Sequence, residues 1–173
     1  TAISDLFARD AWRRLDRFYE RVLGTPDDLR ARAAVLLGAF QAGVAIEQSM
    51  LGAAHACANP LTARYGTIHG VAIAVMLPHV VRWNADHVGN RYAELLVRSD
   101  GASFGAGRAA AELATRLETL RSAGELPTTL RDLGVPREDL AALAAGAATQ
   151  WTGACNPRPF DAAGALALYE RAF

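Results

Sequence analysis

Cysteine is nearly absent: Cys57 and Cys155 are the only two in 173 residues. Two distant cysteines in a chain of this size make no disulfide framework, so a reducing compartment, the cytoplasm, is expected. Excess charge is also missing. Lys plus Arg and Asp plus Glu each total 18, leaving a formal net charge of zero. Nucleic-acid binding needs basic residues gathered on one face. Here arginines alternate with acids, as in "RDAWRRLDRFYE" and "DLRARAA", the pattern of solvated helix faces, and no nucleic-acid partner is expected. The opening "TAISDLFARD" lacks the apolar core of a signal peptide. The longest apolar run, "VAIAVMLPHVV", is interrupted by Pro78 and His79 and falls short of the ~18–20 residues of a membrane span, so no membrane partner is expected either. Strand patterning has almost no candidates, and no Gly-rich strand-to-helix turn of the dinucleotide-binding kind occurs.

What remains is helix. Alanine and leucine dominate, and apolar residues recur at spacings of three and four. Ser4-Asp5 opens a first helix to about Leu23, with Leu6, Trp12, Leu15 and Tyr19 expected to face inward. "GTPDD" is a turn that caps the next helix. The second helix is expected from about Asp27 to Ala58. Its stretch "AAVLLGAFQAGVAI" has little polar surface, which predicts a helix surrounded by protein. Gly38, Gly43 and Gly52 fall on or near one side and would admit a close neighbour. Pro60 disfavours helical geometry at Asn59, so the helix is expected to stop there, with "PLTARYGT" as loop. Further helices are expected at 69–83, 90–98, 105–124, 136–147 and 160–172. The expectation is one all-α domain over residues 1–173.

His55 and His69, in "LGAAHACANPLTARYGTIHG", are two of four histidines. In one continuous helix their 14-residue separation would span ~21 Å, too far to share an ion. A shared site requires a chain reversal, for which Pro60 and Gly66 supply a breaker and a flexible point. A lone histidine near a helix end is more often a cap or a hydrogen-bonded core group than a ligand. Two are also too few for a catalytic metal site, which takes three or four protein ligands. Within the chain, Cys57, Asn59, His79 and Asp86 could complete a set. Cys57 points to another side of the helix, and His79 lies near the opposite face of its own.

The segments "AGVAIEQSMLGAAHACANPL" and "YGTIHGVAIAVMLPHVVRWNAD" closely resemble the central motif of the iron-containing (group III) alcohol dehydrogenases. The start "ISDLFARDAWRRL" resembles the opening of that family's C-terminal helical domain, of the dehydroquinate synthase-like kind. The end, from "LRDLGVPREDL" through the Asn-Pro-Arg turn of "TGACNPRPF" to "YERAF", resembles its tail. The resemblance covers essentially all 173 residues. It implies an oxidoreductase that moves hydride between an alcohol or aldehyde and NAD or NADP, with Fe2+ (alternatively Zn2+) polarising the substrate oxygen. It places two of the four metal ligands on His55 and His69. The other two, an aspartate and a histidine, and the nucleotide-binding α/β domain fall upstream of residue 1 or on another chain.

The chain departs from the family pattern at several positions. Asn59 stands near the nicotinamide, where many members have a histidine assigned to proton relay. An amide hydrogen-bonds but does not exchange protons as an imidazole does. Thr62 replaces a usual glycine, Ile68 a proline, Ile73 an asparagine and Ile46 an aromatic. Met50 and Leu51 could shape an alcohol pocket or simply pack. A split dehydrogenase, or an inactive helical interaction protein that kept its histidines, are the rival readings. The 173-residue chain alone is expected to be inactive. An apolar face normally covered by the missing domain should favour a homo-oligomer.

Overall fold

A computed structural model describes residues 1–96 and 105–173. Among them there is no strand, only eight α-helices and three short 3-10 turns, as the periodicity predicts. Contacts divide the chain into two compact units, one of residues 1–50 and 94–103, the other of 51–93 and 104–173.

The first unit is a hairpin of α1 (Ala2–Gly24) and α2 (Leu29–Ser49). Thr1 and Ser4 form a reciprocal capping box at the start of α1, satisfying amides that have no partner within the helix. In the turn, Asp28 caps α2 by accepting from Ala31 N–H at 2.9 Å, and it also pairs with Arg21. Ala11, Ala31, Gly38 and Ala45 are buried between the helices. A Cβ on Gly38 would lie 3.1 Å from both Arg14 Cβ and Leu15 Cγ, so this crossing needs glycine. Gly43 meets nothing within 4 Å. Two expectations fail here. Leu6 points outward at 68% exposure, and α2 is not surrounded by its unit, since Leu36 and Phe40 are 70% and 67% exposed. The hairpin has only one partner face to offer, and the small residues take it. By length and composition α2 is also apolar enough to cross a membrane, at mean hydropathy 1.4 with 17% of the span buried. Counting uninterrupted apolar runs overlooked it, because Arg30, Arg32 and Gln41 punctuate an otherwise apolar helix.

The expected long second helix is two helices. α2 stops at Ser49, whose hydroxyl donates back to the Ala45 carbonyl at 2.8 Å. Met50 follows with φ of +82°, a conformation that side chains rarely adopt and that ends helical geometry.

The second unit starts with α3 (Ala53–Tyr65) and α4 (His69–Trp83), joined at Gly66, whose φ of +65° closes α3 in the left-handed region. Pro60 does not end α3; it lies inside it, and most of "PLTARYGT" is helical. One lost hydrogen bond is outweighed by burial. Ala53, Ala56, Cys57, Ala58 and Leu61 are all inaccessible, and packing of this extent overrides local propensity. α5 (Arg91–Leu95), α6 (Ala106–Ala123), α7 (Leu140–Ala148) and α8 (Ala162–Ala172) follow. The α5 expectation extended to residue 98, and its end lies outside the described residues. Leu61, Val75, Met76, Leu130, Leu143, Leu168 and Tyr169 form the centre of the core. Tyr169 Oη donates to the Cys57 carbonyl at 2.7 Å, fastening α8 to α3.

Candidate metal-binding site

The reversal that the two histidines require is the α3–α4 hairpin. His55 lies in the first turn of α3, not at the end of a long helix, and His69 is the first residue of α4. His55 Nδ1 and His69 Nε2 come to 3.1 Å, with ring centroids 5.1 Å apart and planes tilted by 38°. Two imidazole lone pairs do not face each other at that distance without something positive between them. Either a proton bridges the nitrogens, one ring donating to the other, or a cation does. Burial, and then the neighbouring His69, hold the His55 pKa below the ordinary histidine value. His55 is therefore held in the neutral form that binds metals. Bonds of ~2.0–2.1 Å to a shared ion put adjacent donor atoms about 3 Å apart, so the pair fits two neighbouring places in a coordination shell.

None of the other candidates completes that shell. Cys57 is fully buried, and burial pushes its thiol up to about 12, so the thiolate that binds metals does not form near neutrality. His79 is surrounded by Arg82, Arg121, Glu118 and Arg171, and burial followed by those arginines depresses its pKa. Asp86 is exposed in the 3-10 turn Ala85–His87. Among the described residues, no group of three or more His, Cys, Asp or Glu side chains is placed to hold a metal.

Asn59 lies one turn beyond His55 on α3. Its Nδ2 donates to Gln150 Oε1, 91 positions away, at 2.8 Å. Both line an open cleft of about 540 Å³ with Thr62, His69, Gly146 and Thr149. Pro60 and Ala63 complete the lining, which mixes apolar surface with amide, hydroxyl and imidazole groups and holds no carboxylate, lysine or arginine. Thr62 Oγ1 lies 3.5 Å from His69 Nδ1, the ring nitrogen turned away from His55. Groups in that position commonly fix the tautomer of a metal-bound imidazole.

Sequence reasoning gave three residues here no role in the site. Thr62 had a visible signal as an unusual residue inside the motif. Gln150 had none. Asn156 was visible only as part of the Asn-Pro-Arg turn. Its Oδ1 accepts from Ala53 N–H at 3.2 Å and from Asn84 Nδ2 at 3.1 Å. Its Nδ2 donates to Asn84 Oδ1 and to the Arg158 carbonyl, both at 2.8 Å.

Known proteins resemble the chain along its whole length. The profile of the Fe-containing alcohol dehydrogenase family, C-terminal, matches residues 1–173. Lactaldehyde reductase of Escherichia coli K12 is 34% identical over 186 residues, covering 99% of this chain and 48% of that protein. A 1,3-propanediol dehydrogenase of Citrobacter freundii is 32% identical over 176 residues, covering 99% and 45% respectively. Among solved structures, a 1,3-propanediol oxidoreductase superposes with a TM-score of 0.93 at 29% identity, over 100% of this chain and 46% of that one. A sulfoacetaldehyde reductase from Bifidobacterium kashiwanohense, solved with NAD+, gives 0.81 at 25% identity, over 98% and 43%. The chain thus spans about half the length of the relatives it matches.

Proposed function

From the premise that this chain belongs to the Fe-containing alcohol dehydrogenase family, we propose that it is the metal-binding part of an NAD(P)-dependent oxidoreductase of small alcohols and aldehydes. The observation that carries this reading is the 3.1 Å approach of His55 Nδ1 to His69 Nε2. In it, residues 1–173 act as one all-helical domain. His55 and His69 hold Fe2+, or Zn2+ as the alternative. The remaining two donors and the nucleotide-binding domain come from sequence upstream or from another chain. Bound there, the metal supplies Lewis acidity to the alcohol oxygen.

The chain's own residues bind and orient. His55 and His69 present ring nitrogens from two helix starts, which leaves little side-chain freedom to lose on binding. Asn59 faces the cleft near the expected nicotinamide position. One of its two Nδ2 protons goes to Gln150, so its Oδ1 can accept from a hydroxyl in the cleft and its second Nδ2 proton can be donated there. It holds a proton donor in place but does not relay the proton. The cleft lining, apolar surface interleaved with amides and hydroxyls and without carboxylate, lysine or arginine, suits a small neutral alcohol or aldehyde, in keeping with the lactaldehyde and 1,3-propanediol named for the relatives. NAD is named for one structural neighbour. The exposed apolar face of α2 supports a homo-oligomer or a covering domain, and we read that face as protein-facing in a cytoplasmic enzyme.

The test is anaerobic equilibrium dialysis of the chain against Fe2+, compared with His55→Ala, His69→Ala and the exposed control His87→Ala. Binding should weaken tenfold or more in the first two, a typical scale for lost metal-site groups being about 10–100-fold, and stay unchanged in the third. Equal binding by all four proteins would favour a helical protein that has abandoned the metal. The chain by itself should produce no NAD(P)H from 1,3-propanediol, and turnover would show that the site is complete without a second part.

A further inference from the structure

α3 starts without a cap of its own. Its N-cap is Gly52, which has no side chain to offer the first amides of the helix. Such amides need an acceptor, and Ala53 N–H finds Asn156 Oδ1 at 3.2 Å, from a residue 103 positions further along. His55 is two residues beyond Ala53, in the same turn.

Asn156 is itself fixed on every side. Asn84, which is 4% exposed and directly follows α4, exchanges two hydrogen bonds with it, at 3.1 and 2.8 Å. The Arg158 carbonyl takes the other Nδ2 proton. Arg158 in turn donates to the Trp83 carbonyl at 2.9 Å and stacks its guanidinium 4.3 Å from that ring. Rotating the Asn156 amide by a half turn would set Nδ2 against Ala53 N–H, donor facing donor, so one orientation is enforced. The approach is close: a Cβ on Gly52 would stand 3.0 Å from Asn156 Oδ1. One side chain therefore ties the start of the helix that carries His55 to the end of the helix that His69 begins.

We propose that Asn156 is a positioning residue for the imidazole pair: it caps α3 from across the fold while bound to the end of α4, and so sets where His55 stands relative to His69. The proposal rests on the metal reading above, but its effect on ring placement can be read without any metal. Where a site depends on a supporting contact, loss of that contact typically weakens metal binding about 10–100-fold.

The experiment uses the full chain, with Zn2+ alone as probe, and compares Asn156→Ala, Asn156→Asp, Gly52→Ala and His55→Ala. Zn2+ affinity is read by competition with a chromophoric chelator, and ring placement by the nitrogen and proton resonances of the histidines in metal-free protein. Asn156→Ala should shift the His55 ring resonances, leave His87 still, and weaken Zn2+ binding about tenfold or more. Asn156→Asp keeps the acceptor for Ala53 N–H but loses the two Nδ2 donations to Asn84 Oδ1 and the Arg158 carbonyl, and should recover part of both. Gly52→Ala, which presses on the same contact from the other side, should fall between them. Should Asn156→Ala fail to fold, the Asp and Gly52 variants decide. Unmoved His55 resonances in Asn156→Ala, or in both the Asp and Gly52 variants, would overturn the proposal. His55→Ala binding Zn2+ as tightly as the parent would instead reject the metal reading, with the resonances still deciding whether Asn156 places the ring.

Discussion

α2 and α3 are both rich in alanine and poor in charge, yet they sit in opposite surroundings. Six residues of the thirteen-residue α3 are buried, against three of the twenty-one in α2. Composition is therefore a poor guide to burial; what decides is how many elements meet a helix. α3 packs against α4, α7, α8 and the 3-10 turn Trp151–Cys155, whereas α2 packs within its unit on α1. The well-packed unit holds the two histidines in place. The hairpin keeps Leu36, Leu37 and Phe40 at its surface, an apolar face of the kind that marks an interface.

Five substitutions sharpen or break this contrast, followed here by denaturant unfolding. Leu61→Ala, at a site with no solvent exposure, should destabilise by about 2–5 kcal/mol. Leu36→Ala, at 70% exposure, should stay within roughly 0.5 kcal/mol. Equal effects would break the comparison. Gly38→Val, inserted where Arg14 and Leu15 leave 3.1 Å, should cost about 1–3 kcal/mol. Gly43→Ala, with nothing within 4 Å, should instead stabilise the helix by about 0.5–1 kcal/mol. Tyr169→Phe removes the donor to the buried Cys57 carbonyl and should cost about 1–2 kcal/mol.

A pH-dependent effect of small size is expected at the surface of the second unit, where Arg82 grips Glu118 through two hydrogen bonds at 2.6 and 2.9 Å. That hydrogen bonding holds the Glu118 carboxyl below its ordinary value. A depressed carboxyl stabilises the fold above the ordinary carboxylate range and loses that contribution as pH falls through the folded-state value. Glu118→Gln should therefore cost no more than about 1 kcal/mol at neutral pH, and the difference from the parent should vanish in acid.

The helical class and most helix positions were legible because 3.6-residue periodicity is a local property. The "GTPDD" turn as a cap and Gly66 as the pivot were legible for the same reason, although Asp28 was not singled out within the turn. The histidine pair was legible through motif resemblance; spacing alone showed only that the chain had to reverse between them. What escaped were features decided by contacts distant in sequence. Pro60 was read as a helix end because local sterics say so, and the packing of Cys57, Ala58 and Leu61 overrules them. The break at Met50 had no proline to mark it. Leu6 and α2 were placed inward because amphipathic patterns give a face without giving its partner. Gln150 and Asn156 act across 91 and 103 positions, beyond any pattern that a single sequence displays.

The most direct measurement is a Zn2+ titration of the chain with each histidine ring nitrogen observed by NMR. The account predicts that His55 Nδ1 and His69 Nε2 shift together and saturate at one ion per chain, while His79 and His87 stay put. Movement of only one member of the pair, or of His79 or His87 in its place, would contradict it.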